Sequence, residues 1–396
     1  MSRITTLILF ILVISACQPE TPKKNLGQIN DLIEDLRSTY APDKRVAIWE
    51  IEAKQSQGKL VLSGKTNLND AQINLKEQME TMGLNFVDSI QILPAPVLGK
   101  QVLGLVNLSA CNIRSNPKHS AELATQSTLG TVLKVWEKSG NWYRIQTPDG
   151  YLGWLDSGGF VPLDEESLKA YQASQRVVYL PEFGFAFEAP DFNSGVVSDL
   201  LSGNILVESA KAGNFTQVRF PDGRLGFVPN TAIAPLSEWL DSRQATVANI
   251  LDDAQAMMGR PYLWGGTSGK GIDCSGFTKT VFYLNGLLLP RDASQQVHVG
   301  KPIADNDDIN NLQAGDLMFF GRKENGDQKE RITHVAIYMG EGKIIHAAGQ
   351  VKIESLNPED EDFAPDRLKT FVRAKRFLEA PEEHGIPKLA SLPAYQ

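Results

Sequence analysis

Cys274 stands in the run GIDCSGF, between an aspartate and a serine and directly before the apolar stretch GFTKTVFYL. Phe277, Val281 and Leu284 fall on one helical face, so the cysteine opens a helix, where free backbone N–H groups and the positive dipole end favour a thiolate. Glycines at 265, 266, 269 and 271 let backbone pass close by and keep the sulfur accessible. A thiolate attacking an amide needs a proton donor for the leaving amine, which calls for a histidine. Of the five histidines, His334 and His346 fall in adjacent strand-like runs, ITHVAIYMG and KIIHAAG. An odd-length loop from Met339 to Lys343 would set Ala336 opposite His346 and leave His334 as its diagonal neighbour on the same face. An even turn at Glu341-Gly342 would put the two imidazoles on opposite faces. The odd loop is expected, with Cys274 as nucleophile, His334 as base and then acid, and His346 as the group that orients His334. Two readings stand beside this one. The histidines could be satisfied structural residues, or a Cys and two His could bind zinc, although the compact zinc spacings are missing.

The elements around these residues follow from punctuation and periodicity. A helix over Thr246 to Met258 stops at Gly259-Arg260-Pro261, and the glycine loop and the cysteine helix, to about Asn285, come next. DLMFF, HVAIYMG and KIIHAAG read as paired strands, giving an α+β domain over residues 243–380. The polar segment GRKENGDQKERIT ahead of His334 reads as a lid or a disordered loop. Upstream lies an internal repeat. LGTVLKVWEKSGNWYRIQTPDGYLGWL and SGNILVESAKAGNFTQVRFPDGRLGFV superpose without gaps at an offset of 73 residues. Alternating apolar residues between Gly-Asn and Asp-Gly turns indicate two small antiparallel β-barrels, residues 97–165 and 170–237. Residues 27–95 read as a small α/β module: a helix through Ile29, Leu32, Ile33 and Leu36, strands at RVAIWEI and KLVLSG, a second helix from Ile73 and a last strand at VDSIQIL.

Length fits several domains, and a net charge of −8 without basic blocks argues against nucleic acid. At the N-terminus, Arg3 precedes an apolar run from Leu7 to Ile14, too short to span a bilayer and suited to a secretory signal. VISACQ resembles a bacterial lipobox, which implies a signal peptide over residues 1–17, acylation of Cys17 and a tether over 18–26. With Gln18 after the cysteine, the resemblance implies anchoring to the envelope, at an outer membrane and facing the periplasm. Cys111 and Cys274 could then form a disulfide, but their contexts favour a buried Cys111 and a free Cys274.

RPYLWGGTSGKGIDCSGF, PRDASQQ, LQAGDLMFF, ITHVAIYMG and KIIHAAG, in that order, resemble the NlpC-type cell-wall cysteine peptidases, a papain-like family. The repeat, with NIRSNP and GYLGW, resembles bacterial SH3-like domains. Together they imply a multidomain protein: a papain-like α+β catalytic domain preceded by two SH3-like β-barrels and the small α/β module. The resemblance places the catalytic set on Cys274, His334 and His346. The combination resembles γ-D-glutamyl-L-diamino acid endopeptidases, whose substrate carries a free L-alanine amine. It implies that Glu122 and Tyr151 of the first barrel meet that amine, and that Tyr262, Trp264, Asp273, Ser275 and Asp292 line the same subsites. Arg224 stands in the second repeat where Tyr151 stands in the first. The implied partners are murein tri- or tetrapeptides and, through Cys17, a membrane; no metal or organic cofactor is called for, and a monomer is expected. An endopeptidase acting on intact wall and an inert wall-binding lipoprotein remain as alternatives.

Overall fold

The computed structural model of the chain describes residues 23–303 and 308–396. The signal peptide expected over residues 1–17, the expected acylation of Cys17 and the start of the expected tether lie outside the described residues. Two compact units result: one runs to Pro42 and resumes over Ile48–Ile92, and the other comprises Asp43–Ala47 and Leu93–Gln396.

The first unit has the expected element order: helix Lys23–Tyr40, strands Trp49–Ser56 and Lys59–Thr66, helix Asn69–Thr81 and strand Phe86–Ile92. The first two strands pair antiparallel, and the third joins Lys59–Thr66 in parallel. Ile29, Ile33 and Leu36 of the first helix are buried, as are Leu75 and Met79 of the second. Two boundaries differ from the sequence reading. The first helix begins at Lys23, inside the stretch read as a tether. The first strand begins at Trp49, so Arg45, read as strand, lies instead in the Asp43–Ala47 turn.

In the second unit the repeat becomes two seven-stranded sheets with one topology. The strands Val132–Ser139, Trp142–Gln146 and Leu152–Asp156 recur at Ile205–Ala212, Phe215–Arg219 and Leu225–Pro229. Even the irregularity recurs: the register shift between Val135 and Glu137 returns between Glu208 and Ala210. The core of the first barrel includes Ile113, Leu133, Val135, Ile145 and Phe160, with the buried Cys111. Helix Glu165–Gln172 joins the two barrels.

The C-terminal domain is built on a six-stranded antiparallel sheet, ordered Lys301–Pro302, Phe371–Arg376, Leu317–Arg322, Arg331–Gly340, Lys343–Ala348, Gln350–Ser355. Helix Cys274–Leu284 buries Phe277, Val281 and Phe282 against Val335, Ile337 and Ile345 of the sheet. Met318, Phe320, Ala336, Tyr338 and Ile344 form a second apolar cluster. The segment read as a lid or disordered loop continues the hairpin instead: Arg322 pairs with Arg331, and Asn325 bridges Gln328. The domain also reaches beyond residue 380, because Leu389 and Tyr395 are buried in a cluster with Trp239, Leu288 and Val178.

Candidate active site

Asp273 is the N-cap of the helix Cys274–Leu284, its carboxylate accepting from the Gly276 N–H at 2.7 Å. Cys274 therefore holds the first helical position, where the sequence set it. Two glycines make this approach possible. A Cβ on Gly276 would meet the Gly266 carbonyl oxygen at 2.1 Å, and one on Gly265, whose φ is +79°, would meet the Leu123 carbonyl oxygen at 2.1 Å. The second contact seats the catalytic loop on the first barrel.

The histidine register is reached by a different route from the one expected. The turn is the two-residue Glu341-Gly342, both residues at positive φ, rather than a five-residue loop. A bulge between Tyr338 and Gly340 inserts Met339 and restores the odd offset, so that Tyr338 faces Ile344 and Ile337 faces Ile345. The diagonal contact follows: His334 Nε2 lies 2.7 Å from His346 Nδ1, with the ring centroids 4.9 Å apart.

Glu354, on the adjacent strand, completes the chain. Its carboxylate stands 2.9 Å from His346 Nε2, without aligned hydrogen-bond geometry. The neighbouring His346, with help from Lys352, brings the Glu354 carboxyl down to about 2. An ionised carboxylate at His346 Nε2 keeps the proton there, which leaves Nδ1 as acceptor. The His334 Nε2–H then donates to it, and His334 Nδ1 is left with a lone pair for an incoming proton. Sequence reasoning missed Glu354; its alternation with His346 across two paired strands was the available signal.

Burial opposes the thiolate that the helix start favours. Burial first, and the Asp273 carboxylate second, push the Cys274 thiol up to about 11, against the opposing pull of the Val335 backbone N–H. Burial and the Arg367 charge hold His334 well below its usual 6.5. Near neutral pH the resting pair is thus thiol and imidazole, and the proton moves during attack. Alkylation of Cys274 by iodoacetamide should therefore rise about tenfold per pH unit from pH 7 towards 10, because thiolate is the reactive form. A rate already level between pH 6 and 8, read at the Cys274 peptide by mass spectrometry, would show a preformed ion pair instead. Cys111 does not compete, since burial pushes its thiol up to about 12. Cys111 and Cys274 are both free.

The remaining predicted residues gather around this centre. Tyr262 is half-buried, and its hydroxyl is held protonated by burial and by the nearby Cys274 and Asp273, so it remains a hydrogen-bond donor. Asp273 and Ser275 are buried and face Arg291, which sequence reasoning did not single out. The Arg291 guanidinium, 1% exposed, bonds Asp273 Oδ2 at 2.6 Å, Asp273 Oδ1 and Ser275 Oγ at 3.1 Å, and Thr125 Oγ1 of the first barrel at 3.0 Å. Asp273 also accepts the Gly265 N–H at 2.9 Å. Its carboxylate is largely spent on shaping the site.

Two of the pairs that cross from barrel to catalytic domain involve the remaining predicted residues. Trp264 Nε1 donates to Glu122 Oε1 at 2.6 Å, with the indole 63% exposed, and the Tyr151 hydroxyl donates to Asp292 Oδ2 at 3.0 Å. The barrel is held in place by Gln126, whose Oε1 accepts from Thr267 N and Ser268 Oγ, and by the Lys279–Asp149 ion pair at 2.7 Å. Arg224, the counterpart of Tyr151, turns elsewhere and lies over Phe220. Arg45 also reaches this subsite: its Nη1 lies 2.6 Å from Asp292 Oδ2. Its strand-like sequence context hid that role.

With this geometry in hand, similarity to known proteins is informative. Residues 259–367 match the NlpC/P60 family, and residues 113–159 match the bacterial dipeptidyl-peptidase SH3 domain. The chain is 30% identical over 233 residues to the γ-D-glutamyl-L-lysine dipeptidyl-peptidase of Bacillus subtilis, spanning 57% of this chain and 72% of that protein. It is 28% identical over 270 residues to dipeptidyl-peptidase 6 of Lysinibacillus sphaericus, spanning 66% of this chain and 94% of that protein. The crystal structure of an NlpC/P60 family protein from Bacillus cereus superposes with a TM-score of 0.58 at 22% identity, over 70% of this chain and 99% of the other, which establishes the shared fold.

Proposed function

The chain belongs to the NlpC/P60 family of cysteine peptidases, and on that premise we propose that it hydrolyses murein peptides at the bond between γ-D-glutamate and the diamino acid, requiring a free N-terminal L-alanine. The observation that carries the substrate reading is the pairing of Glu122 with Trp264 and of Tyr151 with Asp292 beside the nucleophile's helix. Two carboxylates and a phenol bordering one subsite suit an ammonium group. An N-acylated substrate would bring no charge to them and would leave them desolvated without a partner.

The mechanism follows from the tautomers. As the Cys274 sulfur attacks the γ-glutamyl carbonyl, its proton passes to His334 Nδ1. The imidazolium so formed is stabilised through His346 and Glu354, and Tyr262 and the first-turn amides of the helix are the donors available to the oxyanion. The proton then goes to the nitrogen of the diamino acid, which leaves, and water hydrolyses the thioester with His334 as base. Export, lipid attachment at Cys17, outer-membrane location and action as a monomer are part of this proposal. The support for the first three is the sequence through Gln18.

Incubation with L-Ala-γ-D-Glu-diaminopimelate and with its N-acetylated form, read by mass spectrometry, tests the substrate reading. Cleavage of the free amine form at least a hundredfold faster is expected. Comparable rates on both would point to an endopeptidase of intact wall, whose L-alanine is amide-linked. No cleavage of either would leave the wall-binding reading.

A further inference from the structure

Asp292 is bordered by a cation from an unexpected part of the chain. Arg45 belongs to the five-residue turn Asp43–Ala47, which precedes the barrels in sequence but forms one compact unit with them and the catalytic domain. Its Nη1 contacts Asp292 Oδ2 at 2.6 Å and Ser294 Oγ at 2.9 Å. The other edge of the guanidinium bonds the Asp43 carboxylate, Nε to Oδ1 at 2.8 Å and Nη2 to Oδ2 at 2.7 Å. Asp43 Oδ2 in turn accepts from Gln295 Nε2 at 2.8 Å. The backbone is tied on the barrel side, where the Arg45 carbonyl accepts the Leu152 N–H at 2.7 Å and the Val46 carbonyl accepts Gln146 Nε2 at 2.9 Å. The turn is therefore a strap, anchored to the first barrel and to the Asp292–Gln295 corner of the catalytic domain.

A guanidinium at the carboxylate meant for an ammonium could be a plug or a clamp, and the charge balance decides. Arg45 brings one positive charge, and Asp43 matches it with a bidentate contact. The Asp43–Arg45–Asp292 group keeps a net negative charge. An approaching ammonium is still attracted. The contacts also divide the two Asp292 oxygens. Oδ2 receives both Arg45 and the Tyr151 hydroxyl, whereas the nearest cation to Oδ1, Arg291 Nη1, stands at 3.9 Å, beyond hydrogen-bond reach. The Asp292 side chain also accepts the Gln295 backbone N–H, in the capping box of the helix Ala293–Gln296, and because a carboxylate offers about four lone-pair sites, Oδ1 still keeps acceptor capacity.

We propose that Arg45 is a positioning residue for substrate selection: by holding Asp292 Oδ2 together with Tyr151, it fixes the carboxylate so that Oδ1 faces the ammonium of the substrate's N-terminal residue. The inference rests on the free-amine reading above and extends it to a residue outside the barrels and the catalytic domain. Without Arg45 the partly buried Asp292 side chain is held only by Tyr151 and the capping box, and the substrate must order it further on binding, which weakens ground-state and transition-state binding.

The test is steady-state kinetics of Arg45→Ala, Arg45→Lys and Asp43→Asn on the free-amine and N-acetylated peptides, with thermal unfolding as a check on folding. Arg45→Ala should raise KM for the free-amine peptide about tenfold, the scale of one charge-assisted hydrogen bond, with a smaller fall in kcat. Preference over the acetylated peptide should shrink by a similar factor. Lysine, which keeps the charge but not the fork, should recover part of the loss. Asp43→Asn leaves the guanidinium unbalanced and should raise KM through repulsion of the ammonium. A lowered KM in Arg45→Ala would identify a plug and overturn the proposal, as would an unchanged preference between the two peptides. If the wild-type enzyme does not discriminate between the peptides, the amine reading itself fails and this inference falls with it. If it discriminates and Arg45→Ala does so to the same extent, only the role of Arg45 is lost.

Discussion

Arg291→Met should destabilise the catalytic domain by about 3–5 kcal/mol, the range for removing one partner of a buried ion pair. The guanidinium is 1% exposed and makes four hydrogen bonds, to both oxygens of Asp273, to Ser275 and to Thr125. Methionine roughly fills the stem but leaves the buried Asp273 carboxylate with neutral backbone and hydroxyl donors alone, those of Gly265, Gly276 and Ser275. Such donors offset only part of the cost of burying a charge. The pair Asp273→Asn with Arg291→Met separates charge from packing. If the uncompensated carboxylate is the main cost, the double variant should be more stable than Arg291→Met alone. If lost packing dominates, it should be less stable. Chemical denaturation followed by a probe in the catalytic domain reads the difference, since a chain of several domains does not have a single two-state transition. Activity should fall with stability, because Asp273 caps the helix that carries Cys274.

This ion pair also marks how far the sequence could be read. Cys274, His334 and His346 were legible because their chemistry leaves a local trace: a cap and helix start for one, and strand periodicity for the others. The repeat was legible because its turns and apolar positions recur at one offset, and the strands recur with it. Arg291 was not, since an arginine before an aspartate looks like solvated surface until the fold buries it between two domains. Glu354 and Arg45 failed for related reasons. Their partners lie on other elements, and a side chain's partner is set by tertiary packing rather than by its neighbours in the chain. The hairpin is the instructive intermediate case. The required parity of the histidines was correct, but the device that achieves it, a bulge at Met339 before a two-residue turn, cannot be told from a longer loop by counting residues.

Cys274→Ala and His334→Ala should each reduce kcat by about four to six orders of magnitude, and the double variant should be no worse than either single one. The non-additivity follows from the protonation states. With the thiol pushed up to about 11, the sulfur does not attack at neutral pH without a base. With the cysteine removed, that base has no proton to take. A thiolate already formed at rest would predict otherwise: His334→Ala would then keep measurable attack, and its loss would be smaller than that of Cys274→Ala. His346→Ala should cost less than either, about two to three orders of magnitude, because His334 keeps its place on the strand and loses only its Nε2 partner. Glu354→Gln should cost less again and should shift the acid limb of kcat/KM to lower pH. The sign follows from the charge. The carboxylate raises the proton affinity of His346 and, through it, of His334, so removing it lets His334 lose its proton at lower pH. Single-turnover acylation measured across pH 4–9 reads both effects directly. An unshifted acid limb in Glu354→Gln would mean that the carboxylate only orients His346, and that the proton affinity of His334 is set by its burial and by Arg367.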